Sequence, residues 1–256
     1  MDILTQFNSF ILIFVRMASM LFTIPFFGAK NVPKVFKIGL SLFTSIILIN
    51  IVRVDTSVMA GNILSLAAAI GGEFLIGFTI GLMARLIFTA VEMAGEIMGF
   101  QMGFSIVNVI DPQTSSQVPI IGQFQTILAT LIFLSIHAHH FFLAAAAESF
   151  SIVQPLHFSL TGALMNGIVG AVGEMFVLAI RIGAPVIVAL LVTNMVMAVI
   201  SKTIPQMNIL IVGFPLTISG GILIMALSLP LFGYLIQKTF EGMKGNIIDM
   251  LSVMAR

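Results

Sequence analysis

Residues 95–119 have the sequence GEIMGFQMGFSIVNVIDPQTSSQVP, and long apolar runs flank them on both sides. Gly95, Gly99 and Gly103 are spaced four residues apart, which places them on one helix face that another backbone can approach closely. The β-branched residues that follow, and then Asp111-Pro112, disfavour a helix and predict a turn. The stretch therefore predicts a helix with a packing face that gives way to a non-helical segment.

The segment between Gly103 and Asp111 is apolar. Its large apolar side chains are Phe104, Ile106, Val107, Val109 and Ile110. Non-helical backbone at membrane depth occurs only where it is buried in protein or lines an aqueous cavity. We therefore interpret the segment as a constriction or plug. A plain cytoplasmic loop is the alternative, but so apolar a tip argues against free exposure.

The composition is that of a membrane protein. Of the 256 residues, 59% are hydrophobic and 8% are charged, and the mean hydropathy is +1.17. A soluble domain carries about a quarter charged residues, so this chain belongs in lipid or in a hydrophobic assembly. It has no cysteine, which excludes disulfides and Cys metal sites. No basic patch points to nucleic acid.

Six apolar runs predict an all-α integral membrane protein with at most six passes and an uncleaved first helix. The runs cover residues 8–28, 38–52, 63–99, 120–147, 162–200 and 209–236. The third and fifth runs exceed the roughly 20 residues of a straight span, so they must tilt, bend or extend beyond the hydrocarbon. We expect the sixth run to be broken by its prolines and glycines, and a short amphipathic helix to follow at 237–256.

The lysines predict the topology of the chain. Three lysines between residues 30 and 37 place the first loop in the cytoplasm, and alternation then places Lys202 there too. A sixth full crossing would put the basic tail outside, against the rule. Either the sixth run turns back at Pro215 or Gly220-Gly221, or simple alternation is wrong.

Charged side chains within the apolar runs are costly unless they are paired or face water. They are Glu73, Arg85, Glu92, Glu96, Glu174 and Arg181. Pairing with neighbouring helices or subunits is the usual role of such groups. A proton relay is the sharper hypothesis, and Glu73 and Glu174 suit it best because they lie in the middle of their runs.

Other chemistry has little support in the sequence. His137, His139 and His140 could ligate a metal, but HExxH spacing is missing and no nearby Cys or Asp completes a site. We interpret them as a polar cluster at a loop end, with no metal. Neither G-x-S-x-G nor a phosphate-binding loop occurs, so we predict no enzyme activity and no cofactor.

Two stretches together resemble the FliR family of flagellar biosynthetic membrane proteins, which has equivalents in virulence type III secretion systems. The first is residues 95–112, and the second is KTIPQMNILIVGFPL at residues 202–216. The resemblance extends over nearly the whole chain in length and in the order of its apolar runs.

The resemblance implies one FliR-type domain, with a FliP-like part at 1–160 and a FliQ-like helical hairpin and tail at 161–256. It implies a helical multi-subunit gate with FliP and FliQ, in the bacterial inner membrane at the flagellar basal body. Unfolded flagellar proteins would pass through this gate, and an FlhB-type protein would lie at its cytoplasmic side. Family members sit largely above the bilayer plane once assembled, which implies a non-standard topology.

The resemblance also implies roles for particular residues. The loop from Phe104 to Ile110 corresponds to the family's plug, and Asp111 and Pro112 form the turn that holds it. Some relatives place Phe where this chain has Ile106 and Val109, so the plug predicted here is aliphatic and smaller. The turn facing the cytoplasm contains Lys202, Pro205 and Gln206.

Two other classes of function are weighed against the export gate. A secondary transporter or proton channel would share the intramembrane carboxylates and broken helices, but it would favour inverted repeats, which the sequence does not display. An intramembrane hydrolase would need motifs that are missing.

Overall fold

The computed structural model describes residues 3–28, 32–52, 63–104, 119–154, 158–159, 161–206 and 208–255. In these residues the chain forms eight α-helices and no strand, which confirms the predicted all-α class. The helices are α1 (Ile3–Thr23), α2 (Pro25–Gly28), α3 (Lys34–Ile49), α4 (Ile63–Met102), α5 (Ile120–Ser135), α6 (Ala138–Ile152), α7 (Gly162–Thr203) and α8 (Ile209–Met254).

Among the described residues, four helices are long and apolar enough to cross a membrane: α1, α4, α7 and α8. Helices α5 and α6 meet the same criterion only as a pair, bent by 67°, which would make five spans. With 40 and 42 residues, α4 and α7 are each about 60 Å long at 1.5 Å per residue. That is about twice the hydrocarbon thickness of a bilayer, so the predicted excess of length is confirmed.

The fourth apolar run was expected to be continuous over 120–147, and the structure divides it. Helix α5 ends at Ser135, α6 begins at Ala138, and His137 between them has φ +55°. Histidine is one of the few residue types besides glycine that adopt this left-handed conformation with some frequency. Neither Gly nor Pro stands at the bend, so the apolar pattern did not reveal it.

Helix α8 continues through the residues that were expected to break it. Pro215, Gly220-Gly221 and Pro230 all lie inside the helix, which also includes most of the separate tail helix expected at 237–256. A proline removes one helical hydrogen bond, yet long apolar helices in a membrane tolerate such interruptions. Of the two alternatives for the sixth run, the turn-back is therefore wrong, and the remaining one is that the chain does not simply alternate sides.

The chain divides into two compact units, each built from separate segments. The first contains Met1–Ile87, Phe133–Gly173 and Thr239–Arg256, and the second contains Phe88–Ile132 and Glu174–Lys238. In the first unit the ring of Phe133 is fully buried and joins residues of α2, α6 and α8. Its ring centroid lies 6.3 Å from Phe26, 6.0 Å from Phe142 and 5.3 Å from Phe240. Aromatic rings at these separations attract one another beyond their apolar burial.

Helix α3 packs on α1 and is amphipathic with its polar side inward. Its buried residues are Lys37, Ser41, Ser45 and Leu48. The two serine hydroxyls donate to carbonyl oxygens four residues earlier, at 2.8 and 2.6 Å, which satisfies them within the helix. Its exposed large apolar residues are Val35, Phe36, Ile38, Leu42, Phe43, Ile46 and Ile47. The outer side of α3 therefore requires an apolar environment.

Candidate functional site

Helix α4 ends in a Schellman motif at the residues that precede the predicted plug. Gly103 has φ +95°, and its N–H donates to the Phe100 carbonyl at 3.1 Å. The N–H of Phe104 donates to the Gly99 carbonyl, also at 3.1 Å. Glycine is the usual residue at this left-handed position because it has no Cβ. The chain therefore leaves α4 in a defined direction at the half-buried Phe104.

The predicted plug beyond Phe104 falls in a part of the chain outside the described residues. This holds for Ile106, Val107, Val109 and Ile110, and for Asp111 and Pro112 of the predicted turn. The geometry of the site is therefore that of the helices that lead into the segment and support its start.

The glycine face of α4 packs on α5. A Cβ added to Gly95 would collide with the backbone of Gly122, and the same Cβ would lie 3.0 Å from the carbonyl carbon of Ile121. A Cβ on Gly99 would lie 3.7 Å from the Ile121 side chain, an ordinary contact. The two helices therefore approach with no side chain between them at Gly95, and the neighbour is a helix of the same chain.

The last turn of α4 also contacts α8. Met102 is fully buried, and its carbonyl oxygen accepts a hydrogen bond from the Thr217 hydroxyl at 3.1 Å. A Cβ on Gly221 would lie 2.6 Å from Met102 Cγ, and one on Gly103 would lie 2.8 Å from Phe214 Cδ1. Two glycines thus create the space in which a methionine and a phenylalanine are seated.

Arg16 and Glu73 form a buried ion pair inside the first unit, with side-chain exposures of 0% and 1%. The arginine Nε bonds to Glu73 Oε2, and its Nη2 donates to Glu73 Oε1 at 2.9 Å. The guanidinium also donates to Ser149 Oγ at 2.8 Å and to the Val153 carbonyl at 3.0 Å. Its Cζ lies 3.8 Å from the ring centroid of Phe150. Glu73 is therefore paired, as the structural interpretation of the intramembrane charges expects.

The other intramembrane charges have a different setting. Their side chains are exposed: Arg85, Glu92, Glu96, Glu174 and Arg181. Within the part of the chain that the structure describes, no ion pair joins Arg85 to Glu92 or Glu174 to Arg181, although both pairs are two helical turns apart. These charges point out of the chain, toward whatever surrounds it.

The turn between α7 and α8 carries the predicted cytoplasmic residues. Helix α7 ends at Thr203 and α8 begins at Ile209, and Lys202, Pro205 and Gln206 are exposed. A polar, exposed turn joins two long apolar helices, which is the form of a helical hairpin.

The three histidines lie together at the bend between α5 and α6. The ring centroids of His139 and His140 are 4.3 Å apart, and His137 lies 6.0 and 5.7 Å from them. The described His, Asp and Glu side chains include no group of three arranged to hold a metal ion.

The sequence reasoning overlooked three features of the site. Arg16 was not predicted to be the partner of Glu73, and a lone arginine in an apolar run is the signal that could have found it. Gly77 and Gly81 were not predicted as a packing pair, but they pack against α1, where a Cβ on Gly81 would lie 2.6 Å from Thr23 Cβ. Thr217 was not singled out, although it stands four residues from Gly221 on one helix face.

Comparison with known proteins agrees with the resemblance. The family model described as bacterial export proteins, family 1, matches residues 7–243. Flagellar biosynthetic protein FliR of Bacillus subtilis (strain 168) is 34% identical over 248 residues, which cover 94% of this chain and 93% of that protein. The protein of that name from Aquifex aeolicus (strain VF5) is 32% identical over 231 residues, covering 90% and 89%.

A third relative, flagellar biosynthetic protein FliR of Escherichia coli (strain K12), is 29% identical over 243 residues, covering 93% of this chain and 90% of that protein. The similarity therefore covers at least nine tenths of this chain in each of the three relatives. As the resemblance to FliR predicted, the chain belongs to the bacterial export proteins, family 1.

Proposed function

We propose that the chain is a non-enzymatic subunit of the flagellar type III export gate in the bacterial inner membrane, at the flagellar basal body. It forms with FliP and FliQ the channel through which unfolded flagellar proteins cross. Membership of an export family and the shared name of the relatives support a component of flagellar export. The long apolar helices support a location in a membrane or a hydrophobic assembly.

The chain supplies an apolar plug in this proposal, formed by residues 104–110. An export channel must pass an unfolded chain while it excludes ions, and an apolar constriction excludes ions by dewetting. The observation that carries the assignment is the Schellman ending of α4 at Gly103 and Phe104. It directs the chain into the apolar segment from a start that α5 and α8 hold.

The two parts of the chain have separate roles in the proposed gate. Residues 1–160 form a FliP-like part, and residues 161–256 form a FliQ-like hairpin and tail. The hairpin turn at Lys202, Pro205 and Gln206 faces the cytoplasm, where an FlhB-type protein binds. The exposed turn and the length of α7 and α8 support this division.

Deletion of residues 106–110 tests the plug. The hetero-oligomeric complex with FliP and FliQ should still assemble, and proteoliposomes that contain it should release potassium faster than those with the native complex. Deletion of an equal number of residues within 113–118, beyond the predicted turn, is the matched control. Unchanged potassium release from an assembled 106–110 deletion would remove the plug assignment.

A secondary transporter or proton channel is the second candidate, and the exposed Glu174 on α7 is the observation that favours it. Glu73 suits a relay less well, because both its oxygens are bound to Arg16. Purification separates the two candidates. A gate subunit should be recovered in a stoichiometric complex with different proteins, and a transporter should be recovered alone or as a homo-oligomer.

A further inference from the structure

We propose that Thr217 on α8 is a positioning residue that clamps the last turn of α4 and so sets the seal made by the segment after it. The sealing role rests on the proposed function, whereas the clamp itself rests on contacts among described residues of one compact unit. The clamp consists of Phe214, Thr217 and Gly221 on α8, and of Met102 and Gly103 on α4.

The backbone carbonyls at the end of α4 need hydrogen-bond partners from outside the helix. The last four carbonyls of a helix have no N–H partner within the helix, and an unsatisfied carbonyl is costly in apolar surroundings. The Schellman motif satisfies the carbonyls of Gly99 and Phe100. The Met102 carbonyl accepts from Thr217, whose side chain is 7% exposed. A residue of α8 therefore completes the ending of α4.

The shapes of the two helices also fit together at the clamp. A Cβ on Gly221 would lie 2.6 Å from Met102 Cγ and 2.8 Å from Met102 Cε, so a larger residue there would force the methionine side chain to move. A Cβ on Gly103 would lie 2.8 and 3.0 Å from the Phe214 ring. Each helix thus offers a glycine to a large side chain of the other. This reciprocal seating fixes the register between the two helices at the clamp.

The hydrogen bond of the clamp is releasable. The Thr217 oxygen lies 3.1 Å from the carbonyl of Met102, 3.1 Å from that of Gly213 and 3.2 Å from that of Phe214. A hydroxyl has one hydrogen to donate. Rotation of that hydrogen from Met102 to Gly213 breaks the hydrogen bond to α4 while the hydroxyl stays satisfied on its own helix. If the clamp opens when an exported chain passes and closes afterwards, its hydrogen bond must be able to break and re-form in this way.

Three variants of α8 test the clamp in the complete complex with FliP and FliQ. Thr217→Val removes the hydroxyl at constant shape, and Thr217→Ser retains it. Ser219→Ala is the matched control, because Ser219 is exposed and its hydroxyl donates only within α8, at 2.6 Å to Pro215 and 3.5 Å to Leu216. Recovery of the complex reports on folding in every variant.

Two measurements are made on each variant. The first is amide hydrogen exchange at residues 99–104, which we expect Thr217→Val to accelerate roughly fivefold, as loss of one hydrogen bond would. The second is potassium release from proteoliposomes, which Thr217→Val should also accelerate. Thr217→Ser and Ser219→Ala should match the native complex in both.

The outcomes are separable from those of the plug test. Native exchange at 99–104 in Thr217→Val would overturn the clamp, whatever the plug does. Faster exchange with native potassium release, in a complex that the 106–110 deletion makes leaky, would overturn the link between clamp and seal. If the 106–110 deletion itself does not leak, the plug and the sealing role both fall, and the exchange measurement still decides the contact between α4 and α8.

Discussion

Arg16 connects three helices of the first unit from a position inside an apolar run. Its donors reach Glu73 on α4 and Ser149 on α6, and its plane stacks on Phe150. It also donates to the carbonyl of Val153, the residue after the last turn of α6, where helical N–H partners end. An arginine fork suits this task, because its donors diverge in one plane.

Replacement of Arg16 by Met should destabilise the chain strongly. Glu73 would remain buried without its partner, and removal of one member of a buried pair costs about 3–5 kcal/mol. Chemical unfolding of the detergent-solubilised chain measures the loss. Arg181→Met, at an exposed arginine of α7, is the matched control and should change stability by about 0.5 kcal/mol or less.

The double variant Arg16→Met with Glu73→Leu sharpens this test. It leaves no unpaired charge, so it should be more stable than Arg16→Met alone. Equal stability of the single and double variants would show that the arginine acts through packing and that the ion pair contributes nothing.

At this scale the sequence revealed where the charges stand but not which groups meet. Glu73 was selected because it is a carboxylate in the middle of an apolar run, and that reasoning needs only the local pattern. Arg16 is 57 residues away, and spacing along one helix carries no information about a partner on another. The role of Thr217 was not predicted for a related reason, since the carbonyl that accepts its hydrogen bond is 115 residues away in the sequence.

At the scale of elements, glycines decide how closely the helices of each unit approach. Gly77 and Gly81 on α4 lie against α1, where Gly77 faces Ser19 and the Arg16 carbonyl. Small residues four apart permit this approach, and the close approach brings the Arg16 backbone next to the helix that carries Glu73. The glycine contact and the ion pair therefore support the same crossing.

Gly81→Ala should weaken that crossing. The added Cβ would lie 2.6 Å from Thr23 Cβ and 2.8 Å from the Met20 carbonyl, and a backbone atom cannot easily move aside. Overpacking of this kind costs about 1–3 kcal/mol. Unfolding of the solubilised chain measures it, and Gly71→Ala on the same helix is the control.

The Gly71→Ala control should increase the free energy of unfolding, whereas Gly81→Ala should decrease it. A Cβ on Gly71 meets nothing within 4 Å, and alanine favours a helix over glycine by roughly 0.5–1 kcal/mol. Similar unfolding of the two variants would contradict a close contact at Gly81.

The elements themselves followed from the sequence to different degrees. The 40-residue α4 was predicted nearly to its ends, because apolar content and glycine spacing agree along it. The bend at His137 was not, because the chain there adopts a left-handed residue without Gly or Pro. Helix α8 was expected to break at prolines, a rule from soluble proteins that loses force where no water competes for the backbone.

At the scale of the whole molecule, the surface of the long helices has features of a protein that assembles with others. Most residues in the most apolar stretches of α7 and α8 are not buried, whereas most of those in α4 are buried. Exposed charges stand among these apolar residues on α4 and α7. Bare charges facing lipid tails are costly, so the exposed charges support neighbours of protein. Composition predicted the membrane class, but which surfaces meet those neighbours required the fold.

Glu174→Gln should therefore impair assembly and leave the fold intact. We expect recovery of the proposed complex with FliP and FliQ to fall about tenfold, as loss of roughly 1.4 kcal/mol at an interface would give. Unfolding of the isolated chain should be unchanged, because Glu174 is exposed in it. Glu148→Gln, at an exposed carboxylate near the end of α6, is the control, and native recovery of the Glu174 variant would exclude this role.

The inward polar side of α3 has a consequence for how the protein is made. Lys37 is buried and its Nζ lies 5.7 Å from the ring centroid of Phe22 on α1. Alone in a bilayer, α3 would present that ammonium to acyl chains, so α3 is poorly suited to insert by itself. Synthesis delivers α1 first, so α1 is available to cover the polar side of α3 as soon as α3 is made. Because α1 precedes α3 in the chain, α1 can shield the polar side of α3 during synthesis.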